Sequence, residues 1–233
     1  MIRNFLFKTF FFFGIIFISV LFLPALVLPQ PITLYGGRIM GYWTKYCLKF
    51  FLSVDINIIG KENILVDERF FIASSHQSMF ETFFLQTIFN SPIFILKKEL
   101  LKIPIFGLYL RKIGSISINR NKTTKENLSF FDDILKTVKN TKRPLLIFPQ
   151  GTRLLPEERI EFKKGTGRIY EALNIKCQPL AINSGNVWPK NKSLSNNKTI
   201  TVSILKPIEP GLNKNDFLKI LERNIYSELD KIN

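Results

Sequence analysis

Residues 69–89 read RFFIASSHQSMFETFFLQTIF: an apolar run of strand length, a serine-rich turn holding the only histidine of the chain, and an apolar stretch of helix length. Short apolar runs alternating with helix-length segments indicate an α/β domain with a largely parallel sheet flanked by helices. The same alternation recurs on either side. Strands are expected at DINII (55–59), RFFIAS (69–74), PIFIL (92–96), SISI (115–118), PLLIF (144–148), QPLAI (178–182) and TITVSIL (199–205). Helices are expected near residues 79–89, 105–112, 124–139, 164–173 and 215–231. In open α/β sheets ligand sites gather beyond the carboxyl ends of the strands, which is where His76 falls.

Upstream of this pattern the chain changes character. From Thr9 to Gly37 there is no charged residue, and the run FFFFGIIFISVLFLPALVL has about the length of a bilayer's hydrocarbon core. Arg3 and Lys8 resemble the charged start of a signal peptide, but the apolar run is too long and no small-x-small cleavage site follows it. Basic residues flank the run on both sides, so its orientation is not readable from charge. Pro24, Pro29 and Pro31 predict a break near its end. The segment IMGYWTKYCLKFFLSV (39–54) then predicts a second helix, with Ile39, Trp43, Tyr46, Cys47, Phe50 and Val54 on its apolar face. Residues 1–54 are thus expected to be a membrane-associated helical segment, either a hairpin or a single anchor. It would hold a domain of residues 55–233 against an anionic leaflet, and a plain transmembrane anchor is the alternative.

The charge of +15 and pI of about 9.9 attract polyanions or anionic surfaces. Hydrophobic residues at 46% and 23 phenylalanines favour the membrane over nucleic acid. Cys47 and Cys177 are far apart and show neither metal-ligand nor disulfide-framework spacing. KKGTGRIY (163–170) lacks the last glycine of a dinucleotide fingerprint and there is no P-loop; no metal and no cofactor are expected.

His76 and the nearest acid, Glu81, lie five positions apart. On one continuous helix they would point roughly 140° apart. They meet only if His76 is in the turn and Glu81 curls back from the first turn of the helix, where its carboxylate would orient the imidazole and favour its protonated form. The same residues also fit a lone surface histidine beside an ordinary helix-start acid. Three further stretches end strands: GSISINR (114–120), FPQGTR (148–153) and PLAINSG (179–185). Arg120 and Arg153 stand where they can bind a phosphate bidentately, and Gly151 and Thr152 can offer backbone N–H groups to an anion. A single arginine is most often a solvated charge. Two arginines and a histidine at strand ends of one sheet point to a shared site.

These four blocks, HQSMFE, GSISINR, FPQGTR and PLAINSG, resemble in order and spacing those of the glycerolipid acyltransferase family, and most closely its bacterial 1-acylglycerol-3-phosphate acyltransferases. The resemblance runs from about Ile59 to Gly185. Two positions depart from the pattern: Glu81 stands where Asp is more common, and Gln150 replaces the usual Glu of the third block. Gln150 keeps the capacity to bond substrate hydroxyls or backbone.

The resemblance implies an acyltransferase on the cytoplasmic face of the inner membrane. It would pass an acyl group from acyl carrier protein or CoA to the sn-2 hydroxyl of lysophosphatidic acid, giving phosphatidic acid. His76 would be the general base and Glu81 its orienting partner. Arg120, Gly151, Thr152, Arg153 and Gln150 would bind substrate. Lys98, with Lys97 and Lys102, is a candidate contact for phosphate, lipid headgroup or the acidic carrier protein, or belongs to a solvated basic face. The alternatives are a sibling enzyme acting on glycerol 3-phosphate or a lyso-ornithine lipid, and a non-enzymatic basic membrane-binding protein.

Overall fold

The computed structural model describes residues 1–118 and 126–233. One sheet carries β1 (Asp55–Ile59), β2 (Phe70–Ser74), β3 (Ile93–Lys97), β4 (Ile116–Ile118), β5 (Leu145–Ile147), β6 (Lys176–Ile182) and β7 (Thr199–Ile204), in the spatial order β1-β7-β6-β2-β5-β3-β4. Every neighbouring pair is parallel except β6 with β7. All five residues of β2 are buried, as expected for a central strand covered on both faces. Ala73 pairs with Ile147 on one side and Pro179 on the other, so β2, β5 and β6 finish along one edge.

Alternate residues of the strands feed two separate cores. Ile72, Leu146, Leu180 and Val202 pack under α1 (Ile2–Leu21), α2 (Gln30–Leu52) and α3 (Phe80–Ile88). Phe71, Ala73, Leu145 and Ala181 pack under α5 (Glu126–Lys139), α6 (Lys164–Leu173) and α7 (Lys214–Ile232). A short helix α4 (Phe106–Lys112) connects β3 to β4. The start of α7 follows from its sequence: the Asn213 side chain accepts hydrogen bonds from Asn215 N and Asp216 N, satisfying two of the helix's unpaired amides. Phe217, Leu221, Ile225 and Leu229, spaced by four, are its buried stripe.

The apolar run at the start of the chain is bent. α1 ends at Leu21, a 3₁₀ turn spans Leu23–Leu26, and α2 starts at Gln30 with Pro31 in its first turn, where proline costs nothing. α1 and α2 form an antiparallel hairpin: Phe10 stacks on Phe51, and the Trp43 indole donates to Phe11 O at 3.3 Å. The hairpin shares its core with the sheet domain, since Phe7 and Phe11 are fully buried with Trp188 edge-on against both. Asn4 Nδ2 also donates to Leu194 O, and so the long 183–199 loop fastens α1 down.

α2 departs from expectation in two ways. It begins nine residues before the expected start at Ile39, and its buried side runs through Leu34, Met40, Thr44, Cys47 and Leu48 while Tyr46 and Phe50 are exposed. The reason is helix approach. A Cβ on Gly41 would lie 2.7 Å from Phe83 O, so glycine lets α3 come against the α2 backbone on the side that buries Met40 and Leu48. The aromatic side faces outward with the exposed Phe13 and Phe17 of α1, leaving an apolar groove of about 630 Å³ between the two helices. α1 is the one helix among the described residues long and apolar enough to cross a membrane.

Candidate active site

β2 ends at Ser74, and Ser75 fixes the exit of the chain: its hydroxyl accepts from Ile182 N at 2.8 Å and donates to Ile182 O at 3.3 Å, knitting the ends of β2 and β6 together. The turn His76–Met79 then leads into α3, with Glu81 in the first helical turn. The Glu81 side chain is fully buried, and a bare carboxylate there would be costly. Four donors hold it. Oε2 accepts from Ser78 N at 3.1 Å and stands 3.2 Å from His76 Nδ1; Oε1 accepts from Gln77 N at 3.3 Å and from the Ser184 hydroxyl. The partial positive charge of the helix start adds to this.

His76 is 15% exposed. Its ring lies against Phe148, centroids 3.9 Å apart and planes 15° from parallel. Nδ1 on Glu81 and the stack on Phe148 together fix the imidazole, and among the described residues no hydrogen bond takes Nε2. In the tautomer with the proton on Nδ1, Nε2 is a base with an unshared lone pair.

The FPQGTR block follows β5 on the adjacent strand. Its first residue stacks on the histidine, and Leu154 N, just past its last, donates to His76 O at 2.9 Å, so the two turns are bound to each other. Arg153 is half-buried and makes no ion pair among the described residues. Thr152 is exposed. The Gly151 amide, expected to be available to an anion, instead donates to Phe148 O at 2.9 Å, because closing the turn uses that N–H; the turn needs φ +70° there, which suits glycine. Gln150 is buried, with its amide beside the Tyr226 hydroxyl and its carbonyl oxygen unpartnered among the described residues. Lys98 is exposed, on a 3₁₀ turn directly after β3. Arg120, placed by the sequence just past β4, lies outside the described residues.

Sequence reasoning missed Ser184, Gln77 and Phe148. Ser184 reaches Glu81 from 103 residues away, and Gln77 Oε1 accepts from Gly185 N at 3.0 Å, so the first and fourth blocks are joined at the carboxylate. The serine in PLAINSG was the available signal. Among the described residues no cluster of His, Cys, Asp and Glu has the makings of a metal site.

A histidine paired with a carboxylate at the finishing end of a parallel strand, in a turn bound to the loop of an arginine that has no ion pair among the described residues, defines the class. Residues 55–183 match the family model described as Acyltransferase, and the chain belongs to that family. Among curated relatives, the 1-acyl-sn-glycerol-3-phosphate acyltransferase of Saccharomyces cerevisiae is 30% identical over 185 residues, covering 76% of this chain and 60% of that one. The enzyme of that name from Pseudomonas aeruginosa is 31% identical over 154 residues, covering 64% of this chain and 58% of the relative. The chain therefore spans about three-fifths of the length of these relatives. In fold it matches the crystal structure of the 1-acyl-sn-glycerophosphate (LPA) acyltransferase PlsC from Thermotoga maritima, with a TM-score of 0.82 at 22% identity over 99% of this chain and 96% of the other.

Proposed function

We propose that the protein transfers a fatty acyl group from an acyl thioester, on acyl carrier protein or CoA, to the sn-2 hydroxyl of 1-acylglycerol 3-phosphate, forming phosphatidic acid. The observation that carries the reading is His76 Nδ1 held 3.2 Å from the buried Glu81, which leaves Nε2 to take a proton. The hydroxyl attacks the thioester carbonyl as its proton passes to Nε2. The C–O bond forms, the C–S bond breaks, and the departing thiolate takes the proton back. Glu81 holds the ring and balances the imidazolium that forms during attack. The names of the curated relatives support lysophosphatidic acid as acceptor.

Arg153 and Arg120 bind the acceptor's phosphate, with Thr152 and Gln150 alongside. Lys98 supplies further positive charge from the neighbouring strand end. Residues 1–54 rest the enzyme on the anionic cytoplasmic face of the inner membrane while residues 55–233 carry the chemistry. The exposed Phe13, Phe17, Tyr42 and Phe50 suit such a surface.

The test is transfer of a labelled acyl group from its thioester, with lysophosphatidic acid and glycerol 3-phosphate offered in parallel. Phosphatidic acid formed from the first and no product from the second is the expected result. Product from glycerol 3-phosphate alone would replace the acceptor, and no transfer to either would refute the reading.

A further inference from the structure

The loop that carries Arg153 has little core of its own. Of residues 151–161 only Leu154 is buried. Lys163 N closes the loop's base by donating to Pro149 O at 2.9 Å, and Leu154 N ties it to the His76 turn. Its far side, from Arg159 to Phe162, is held by α7.

Glu222, Tyr226 and Asp230 follow at intervals of four and so form one stripe along the helix. Phe162 N donates to Glu222 Oε2 at 2.8 Å. Ile160 is held at both of its backbone polar groups: its N–H donates to the Tyr226 hydroxyl at 3.1 Å, and that hydroxyl donates to Ile160 O at 2.7 Å. Arg159 donates to Asp230 at 2.6 Å and lays its guanidinium 5.1 Å from the centre of the Tyr226 ring. Burial pushes the Tyr226 phenol up, so the hydroxyl keeps the proton it donates.

The buried stripe of α7 already anchors that helix to the sheet; these polar contacts act on the loop. A loop with so few buried side chains moves unless hydrogen bonds hold it, and a phosphate ligand displaced by about 1 Å loses much of its grip.

We propose that the Glu222–Tyr226–Asp230 stripe of α7 is a positioning element for the acceptor's phosphate, fixing the loop so that Arg153 is held beside the His76 turn. The inference rests on Arg153 binding that phosphate.

The experiment titrates lysophosphatidic acid and the acyl donor separately, using the full chain in mixed micelles, for wild type, Arg153→Ala, Tyr226→Phe, Glu222→Ala and Glu222→Gln. Tyr226→Phe and Glu222→Ala are expected to raise the acceptor KM by about tenfold, the size of a lost loop hydrogen bond, with kcat within about threefold and the donor KM unmoved. Glu222→Gln keeps an oxygen for Phe162 N and should restore the acceptor KM. If Tyr226→Phe fails to fold, as judged by its thermal midpoint, the Glu222 pair carries the same test. An unchanged acceptor KM in these variants, with Arg153→Ala raising it, overturns the positioning role alone. A fall confined to kcat, or a parallel rise in both KM values, also overturns it. If Arg153→Ala leaves the acceptor KM unchanged, the phosphate assignment fails and the inference fails with it.

Discussion

Two cations placed at opposite ends of the same strands show how a structural charge differs from an available one. Where β3, β4 and β5 begin, Arg143 donates to Ser91 O at 2.7 Å, Ile113 O at 2.7 Å and Pro92 O at 3.3 Å, so one guanidinium holds the starts of three strands. Burial pushes its pKa down to about 10, which still leaves it charged at neutral pH. Where β5 ends, Arg153 has no ion pair among the described residues and stands in a loop bound to the histidine turn. A guanidinium occupied by main-chain carbonyls fixes the fold; one with no ion pair among the described residues can serve a ligand. The buried polar groups divide the same way. At the finishing end even the fully paired Glu81 leaves its histidine with a nitrogen to spare.

The contrast can be broken by substitution, and the effects on turnover should fall in a definite order. His76→Ala removes the base and should lower acyl transfer by ~10²–10⁴-fold with little change in thermal midpoint. Glu81→Gln comes next, at roughly 10²–10³-fold: the new amide can turn its NH₂ toward Nδ1 and hold the tautomer in which Nε2 carries the proton and is no base. Ser184→Ala deletes one of four donors to the carboxylate and should cost about fivefold, near the value of a single hydrogen bond. Arg143→Met closes the series with the opposite signature. Three carbonyls lose their donor, so stability should drop by about 3 kcal/mol in denaturant titration, while the folded fraction keeps wild-type turnover. A large loss of turnover per folded molecule in Arg143→Met would erase the distinction between the two ends.

The sheet was legible because its strands are apolar runs of the right length between turn residues; all seven formed where expected, with ends shifted by at most two residues. The strand-turn-helix reading of 69–89 also placed Glu81 in the first helical turn, facing back to His76. Hydropathy placed the inward face of α2 only in part. Cys47 and Val54 are buried and Ile39 and Trp43 pack against the core, but Gly41, which a hydropathy wheel scores as neutral, lets α3 approach on the side that buries Met40 and Leu48, and Tyr46 and Phe50 face outward. The Ser184 bond to Glu81 and the Phe148 stack on His76 were hidden because both depend on strand order, which brings residues distant in sequence to one edge. The Gly151 amide was misread for a different reason: the composition of a turn does not say which of its N–H groups closes it.

The most direct test of the account is the rate of phosphatidic acid formation from lysophosphatidic acid by wild type, His76→Ala and Glu81→Gln, with thermal midpoints recorded on the same preparations. The account predicts a collapse of the rate in His76→Ala and a somewhat smaller loss in Glu81→Gln, at midpoints that show both variants folded. A folded His76→Ala protein that turns over at the wild-type rate would contradict it, because no second histidine exists in the chain to take over as base.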